Sequence, residues 1–360
     1  MKEMLNFTVG PVQAGEEVLA IGSQQVPYFR TSEFSEVMLE NASLIQEFAH
    51  APQGSRSVFL TASGTGAMEA AILNTLTPSD HALVVNGGSF GQRFAELLAL
   101  HGIPHAEIRP VPGRQLTDEM LAPYDGQGYT AFLVNIHETS TGVLYDLPRI
   151  SAFCRRNHLF LIVDAISSFL ADPFDMAAAG VDVMIASSQK ALACPPGISM
   201  LILSPCALDR IKGILCSCLY FDLKDALKNM DRGQTPFTPA VGTLLQIHAR
   251  LKELKRIGGA EVAIQETSHL ARYFRNGLQG LPFEFFAETP SNAVTALHPT
   301  SISAHELFLH LKGHYGIWVC PNGGNFKDTL FRVGHIGHLT TQDYDCLLQA
   351  FRDMQEKHLL

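Results

Sequence analysis

The chain has 360 residues, 46% of them hydrophobic and only 17% charged, with a formal net charge of −9. That length supports an extensive core and lies where single cores divide, so two domains are expected and a disordered chain is excluded. An acidic balance with no Lys/Arg run gives no electrostatic footprint for nucleic acid or anionic lipid, which leaves small molecules as partners, and the low charge fraction points to surface buried against a second subunit.

At the start, Met1 to Pro11 (MKEMLNFTVGP) has a polar break at Asn6 and a Gly-Pro turn where a secretory leader needs an unbroken apolar run. The most apolar stretches, such as Leu159 to Val163, are strand-sized and far short of the roughly 20 residues that cross a bilayer. Seven cysteines with no C-x-x-C pair read as reduced residues rather than a disulfide framework or zinc ribbon. A soluble, cytoplasmic protein is expected.

Apolar runs fall at Ser57 to Leu60, Ala82 to Val85, Ala106 to Arg109, Ala131 to Ile136, Leu159 to Val163, Val183 to Ala186 and Ser199 to Leu203. Their near-continuous hydrophobicity predicts strands covered on both faces. Between them, Gly66 to Leu76, Gly91 to His101 and Leu147 to Asn157 have helical spacing. Seven strands alternating with helices predict an α/β fold with a mainly parallel, doubly wound sheet. After Pro239 the texture changes to a long helix, Ala240 to Ile257, a Gly258-Gly259 break, a second helix toward Leu278, and then mixed α and β. The expected division is an arm at 1–15, a large domain at 16–256 and a smaller α+β domain at 257–360.

In such sheets ligands bind beyond the carboxyl ends of the strands. The first strand runs into Thr61-Ala-Ser63-Gly64-Thr65-Gly66 and a helix, a turn that presents N–H groups and hydroxyls to an anion. It mimics a dinucleotide fingerprint, but Glu69 stands where Gly or Ala is needed, so a phosphate cradle or a plain helix cap is the better reading. Another strand ends in Asp164, costly to bury charged unless it meets a cation or strong donors. A third leads to Ser188-Gln189-Lys190. A lysine at this edge, with a phosphate cradle and a carboxylate nearby, suits imine formation with an aldehyde. Pyridoxal phosphate demands all three groups: a cradle for its phosphate, a lysine for its aldehyde carbon, and a carboxylate that keeps its ring nitrogen protonated.

Seven motifs then occur in order: Thr8 to Pro11 (TVGP), Ser63 to Met68 (SGTGAM), Gly88 to Arg93 (GSFGQR), His137 to Gly142 (HETSTG), Val163 to Ser168 (VDAISS), Ser188 to Leu192 (SQKAL) with Pro195 to Gly197, and Phe331 to Gly337 (FRVGHIG). With them the chain resembles the class V, fold-type I, pyridoxal-phosphate aminotransferases over nearly its full length. Within that family it resembles 2-aminoethylphosphonate:pyruvate and alanine or serine:glyoxylate transaminases. The resemblance implies Lys190 as the Schiff-base lysine and Asp164 as the partner of the ring nitrogen. It implies Ser63, Gly64, Thr65 and Gln189 at the phosphate, Phe90 stacked on the ring, and Thr139 on the ring-hydroxyl side. It further implies that Thr238 reaches the phosphate from the other subunit of a homodimer, that Arg332 grips the substrate carboxylate, and that the Thr8 to Gly10 turn closes the pocket. Two departures, Arg30 and Lys327, could each supply charge for a phosphonate or lie on the surface.

Other motifs carry less. His305-Glu306-Leu-Phe-Leu-His310 has one residue too many for a zinc-protease helix, and Cys216-Ser-Cys218 lacks a third soft ligand. His137 and His335 read as core or supporting hydrogen-bonding residues. Cys320, just before Pro321-Asn-Gly-Gly324, keeps a desulfurase or lyase reading open, although Val319-Cys320 reads as a buried strand end and no His follows Asp164. A non-catalytic binding protein is disfavoured by the joint presence of Lys190, Asp164 and Arg332.

Overall fold

The computed structural model describes residues 4–360, so the first three residues of the expected arm lie outside it. Its central sheet has seven strands in the spatial order Arg56–Leu60, Ser199–Leu203, Val183–Ser187, Phe160–Asp164, Ala131–Asn135, Ala82–Val85 and His105–Ile108. Ser199–Leu203 runs antiparallel to both neighbours and the remaining pairings are parallel. All seven expected strands are present, with ends shifted by a residue or so.

Period-two alternation divides each strand between two apolar layers. In Phe160–Asp164, Leu161 and Val163 face one core while Phe160 and Ile162 face the other. Fully burying each such side chain is worth about 1.5–3 kcal/mol, and helices cover both faces, among them Gly64–Thr75, Ser89–Leu100 and Leu147–Arg156. The arrangement puts the carboxyl ends of the parallel strands on one edge. Asn135 and Asp164 are register partners there.

Helix Val241–Ile257 ends at Gly258, and Gly259 precedes helix Ala260–Gly277, so the glycine pair separates the two helices as expected. Beyond it a five-stranded sheet packs with helix Thr341–Glu356 around a third core. The N-terminal strand Leu5–Phe7 pairs in parallel with Ile317–Pro321, so the arm is a strand of this second sheet. That pairing carries the Thr8 to Gly10 turn back over the edge of the central sheet. No helix among the described residues is long and apolar enough to cross a membrane.

Candidate active site

Directly after strand Arg56–Leu60 comes the segment expected to cradle a phosphate. Helix Gly64–Thr75 starts at once, its N-cap Ser63 has extended backbone and makes no side-chain capping bond, and its first turn carries no acid. The Ser63 hydroxyl and the first N–H groups are therefore free to meet an anion. A Cβ on Gly64 would meet the end of the Ile166 side chain, which would have to move aside. Thr65 Oγ1 accepts from Arg93 Nη1 at 3.1 Å, which leaves its own proton free to donate.

Asp164 is 1% exposed. Its Oδ1 accepts from the Ile166 N–H and its Oδ2 from Asn135 Nδ2, each at 2.9 Å. Burial raises its pKa to about 6, against the pull of those two donors, so it is still mainly ionised at neutral pH. Lys190, on the turn after Val183–Ser187, is 8% exposed and donates from Nζ to the Val9 carbonyl at 2.6 Å. Burial lowers its pKa to about 8, and Arg332 pushes in the same direction while Cys320 and Asp164 oppose it. A buried amine of reduced proton affinity is the form that attacks a carbonyl.

The Thr8 to Gly10 turn contributes backbone. Gly10 has φ of +134°, and a Cβ there would lie 2.8 Å from Lys190 Cδ and 2.9 Å from Nζ. Arg332, on strand Phe331–Gly334, donates from Nη1 to the Thr139 carbonyl at 3.1 Å and from Nη2 to the Pro321 carbonyl at 2.8 Å. These bonds fix the guanidinium plane. Its Nε is buried without a partner.

Ser63, Gly64, Thr65 and Phe90 line one cavity of about 150 Å³ together with Thr139, Asp164, Gln189 and Lys190. A larger hollow of about 570 Å³, bounded by Arg250, Glu253 and His338, has no buried lysine or carboxylate in its lining. Five expected residues are not part of the smaller cavity's lining: Arg332 and Gly10, which reach its wall through Thr139 and Lys190, and three that lie elsewhere, of which Thr238 is expected at the partner's site. Arg30 donates to Gln234 Oε1 and to the carbonyls of Thr235 and Pro236, so it braces that segment. Thr238 is exposed on the same segment, and Lys327 is exposed beyond the short helix Gly324–Phe326. Cys320 is only half-buried, unlike the buried strand end expected, because the pairing of Ile317–Pro321 with Leu5–Phe7 ends at Val319. His335 bonds Thr295 Oγ1 and the Tyr344 hydroxyl, whereas both ring nitrogens of His137 are buried and unpaired. Burial holds the His137 ring neutral, with a pKa of about 3.

Arg93 and Asn135 also line the cavity and carry roles that sequence reasoning missed. Arg93 could have been suspected. It falls within the GSFGQR motif, one helical turn after Phe90, and its guanidinium lies 5.2 Å from that ring's centroid. Asn135 gave no signal, because a polar residue ending an apolar strand is ordinary.

The chain matches the family Aminotransferase class-V over residues 23–325. It belongs to that family. An uncharacterized aminotransferase of Helicobacter pylori is 31% identical over 93% of this chain and 89% of its own. A 2-aminoethylphosphonate–pyruvate transaminase of Salmonella paratyphi B is 31% identical over 86% of each. The crystal structure of an aspartate aminotransferase from Thermus thermophilus superimposes with a TM-score of 0.90 at 28% identity, covering 98% of this chain and 99% of that one. The chain is thus a fold-type I aminotransferase, and the family's cofactor is pyridoxal 5′-phosphate. The residues present fit that group: an uncapped helix start for its phosphate, a buried amine, a buried carboxylate, and an unpaired Asn135 Oδ1 in the cavity wall.

Proposed function

We propose that this aminotransferase moves an amino group between a small amine or amino acid, with a 2-aminoethylphosphonate-like donor favoured, and a 2-oxo acid such as pyruvate. One observation carries the reading. Lys190 is buried, its Nζ is held by the Val9 carbonyl at 2.6 Å, and it shares one cavity wall with the buried Asp164 and the uncapped start of helix Gly64–Thr75. Bound there, pyridoxal 5′-phosphate supplies the aldehyde that accepts the amine and the ring that takes up electrons.

The chain's residues divide the remaining work. Ser63, Gly64, Thr65 and Gln189 would hold the phosphate, Phe90 would cover the ring face, and Thr139 would stand at the ring-hydroxyl side. Asp164 would keep the ring nitrogen protonated, and Lys190 Nζ would move the proton at the amine-bearing carbon. Arg332, with Nη1 and Nη2 anchored, presents its remaining N–H groups to the substrate's anionic end, and the Val9-Gly10 backbone closes over Lys190. Thr238 reaches the phosphate of the second subunit in a cytoplasmic homodimer. Two relatives of known name support different donors, one a phosphonate and one an amino acid.

A second reading, alanine or serine as donor with glyoxylate or pyruvate as acceptor, is favoured by Arg30 and Lys327. The first is occupied with carbonyls and the second is exposed, so neither lines the cavity as an anchor for a phosphonate. The lyase reading is weaker. Cys320 belongs to a strand, and Ala165 follows Asp164. Lys190→Ala tests the shared core of both transaminase readings: turnover should fall by at least about 10³-fold while the fold is kept, as read by steady-state rates and circular dichroism. Wild-type turnover in that variant would overturn the assignment.

A further inference from the structure

Asn135 is 3% exposed and ends the strand beside the one that carries Asp164. Its amide orientation is fixed by chemistry: the carboxylate of Asp164 only accepts, so the group 2.9 Å from Oδ2 is Nδ2. The other amide atom, Oδ1, is buried in a residue of the cavity wall and has no partner. A buried carbonyl oxygen without a donor costs free energy unless a ligand supplies one. A hydrophobic residue would have filled the position at no such cost, as Val134 and Val163 do nearby.

We infer that Asn135 is a positioning residue for the electron sink, fixing the orientation of Asp164 toward the cofactor ring and reserving its own Oδ1 as a second acceptor at the same edge. The inference rests on the proposed cofactor site. With the Ile166 N–H on Oδ1 of Asp164 and Asn135 on Oδ2, both carboxylate oxygens are held and the group cannot rotate. Two other titratable groups act on Asp164 from different elements: Lys190, whose positive charge favours the ionised form, and Glu138, whose negative charge opposes it. Glu138 is itself buried and held by the N–H groups of Phe90, Gly91 and Ser140. Asn135 is therefore the side-chain donor that, with the Ile166 N–H and Lys190, keeps Asp164 charged against burial and Glu138.

The test uses the full-length protein, stripped of and then reloaded with pyridoxal 5′-phosphate. Asn135→Leu removes both roles at similar volume, while Asn135→Asp keeps the acceptor and replaces the donor by a carboxylate. Cofactor dissociation constants and the pH dependence of the cofactor's visible spectrum are read for each. Asn135→Leu should weaken cofactor binding on the order of ten-fold or more and shift the spectral titration toward higher pH. Asn135→Asp should shift it further, because a second anion raises the proton affinity of Asp164. KM for the oxo acid should stay within about two-fold in Asn135→Leu, since Arg332 is untouched. Unchanged spectra and affinity in folded variants would overturn the inference, even if their thermal stability fell. Failure of the wild-type protein to develop any cofactor band would instead overturn the cofactor reading.

Discussion

Lys190 and Asp164 are both held away from their ordinary ionisation, and each shift has a consequence that can be measured. For Lys190 the attacking form is the neutral amine, and burial brings its pKa down to about 8. The rate of cofactor capture by the stripped protein should therefore rise about ten-fold per pH unit below 8 and level off above it. Rapid-mixing absorbance between pH 6 and 9.5 measures this, and a flat profile would show that Lys190 is not the capturing amine. For Asp164 the folded-state pKa lies above the unfolded one, 3.8 against about 6. The native state thus binds more protons than the unfolded state across that window, and stability falls as pH rises through it. The full shift corresponds to a penalty of about 3 kcal/mol at neutral pH. Asp164→Asn removes that buried charge and should stabilise the cofactor-free protein by about 1–2 kcal/mol at pH 7, less than the full penalty because an amide offers one acceptor where two donors now point. The gain should vanish toward pH 4, and catalysis should be lost, a trade of stability for function. Denaturant melts at both pH values test the sign.

Arg332 differs from both, being fixed by geometry. Arg332→Lys replaces a planar fork anchored to two carbonyls with a point charge. KM for the oxo acid should rise about ten-fold or more with a smaller change in kcat; an unchanged KM would place the anionic grip elsewhere.

At the scale of elements, the strands of the central sheet are legible in the sequence because burial on both faces demands runs of apolar residues, and Phe160–Asp164 shows both the run and its functional stop. The cradle is legible for a similar reason: small and hydroxylated residues between a strand and a helix have few other uses. Less can be read where long-range pairing decides. Leu5–Phe7 is too short to announce a strand and exists because Ile317–Pro321 offers an edge. Helix Ser32–Phe48, capped by Thr31, has a helical repeat in Phe34, Met38, Ala42 and Ile45, yet it lies outside the strand–helix alternation that marks the central sheet. Arg30 resembles a pocket cation because charge is visible in sequence, whereas the carbonyls of Thr235 and Pro236 that occupy it, about 200 residues away along the chain, are brought to it only by folding. The N-terminal pairing also makes a prediction. Because Gly10 has a positive φ and its missing Cβ leaves room for Lys190, Gly10→Ala should slow cofactor capture by at least about ten-fold while the central sheet stays folded. Normal capture kinetics would show that the turn does not shape the lysine's position.

At the scale of the whole molecule, apolar groups are left uncovered around the segment that carries Thr238. Leu215 and Leu219 are 92% and 81% exposed, Tyr28 is 71% exposed, and the stacked rings of Tyr220 and Phe237 lie beside Thr238. A patch of this kind fits the proposed homodimer, in which each site draws Lys190 from one subunit and Thr238 from the other. Mixing Lys190→Ala with Thr238→Asp, after unfolding and refolding together, should then restore part of the activity that each variant lacks, because one site in the hybrid is intact. No recovery in a mixture shown by sedimentation to contain hybrids would confine each site to its own chain.

The most direct measurement is a single-turnover titration of the cofactor-loaded protein with 2-aminoethylphosphonate, alanine, serine and aspartate, and then with pyruvate or glyoxylate, with the cofactor's visible band as the readout. An amine should bleach the band within one turnover, fastest for the phosphonate, and the oxo acid should restore it. Conversion by alanine or serine alone would shift the donor and leave Lys190, Asp164 and Arg332 in place. A band that no amine bleaches, or that no oxo acid restores, would contradict transamination at this site.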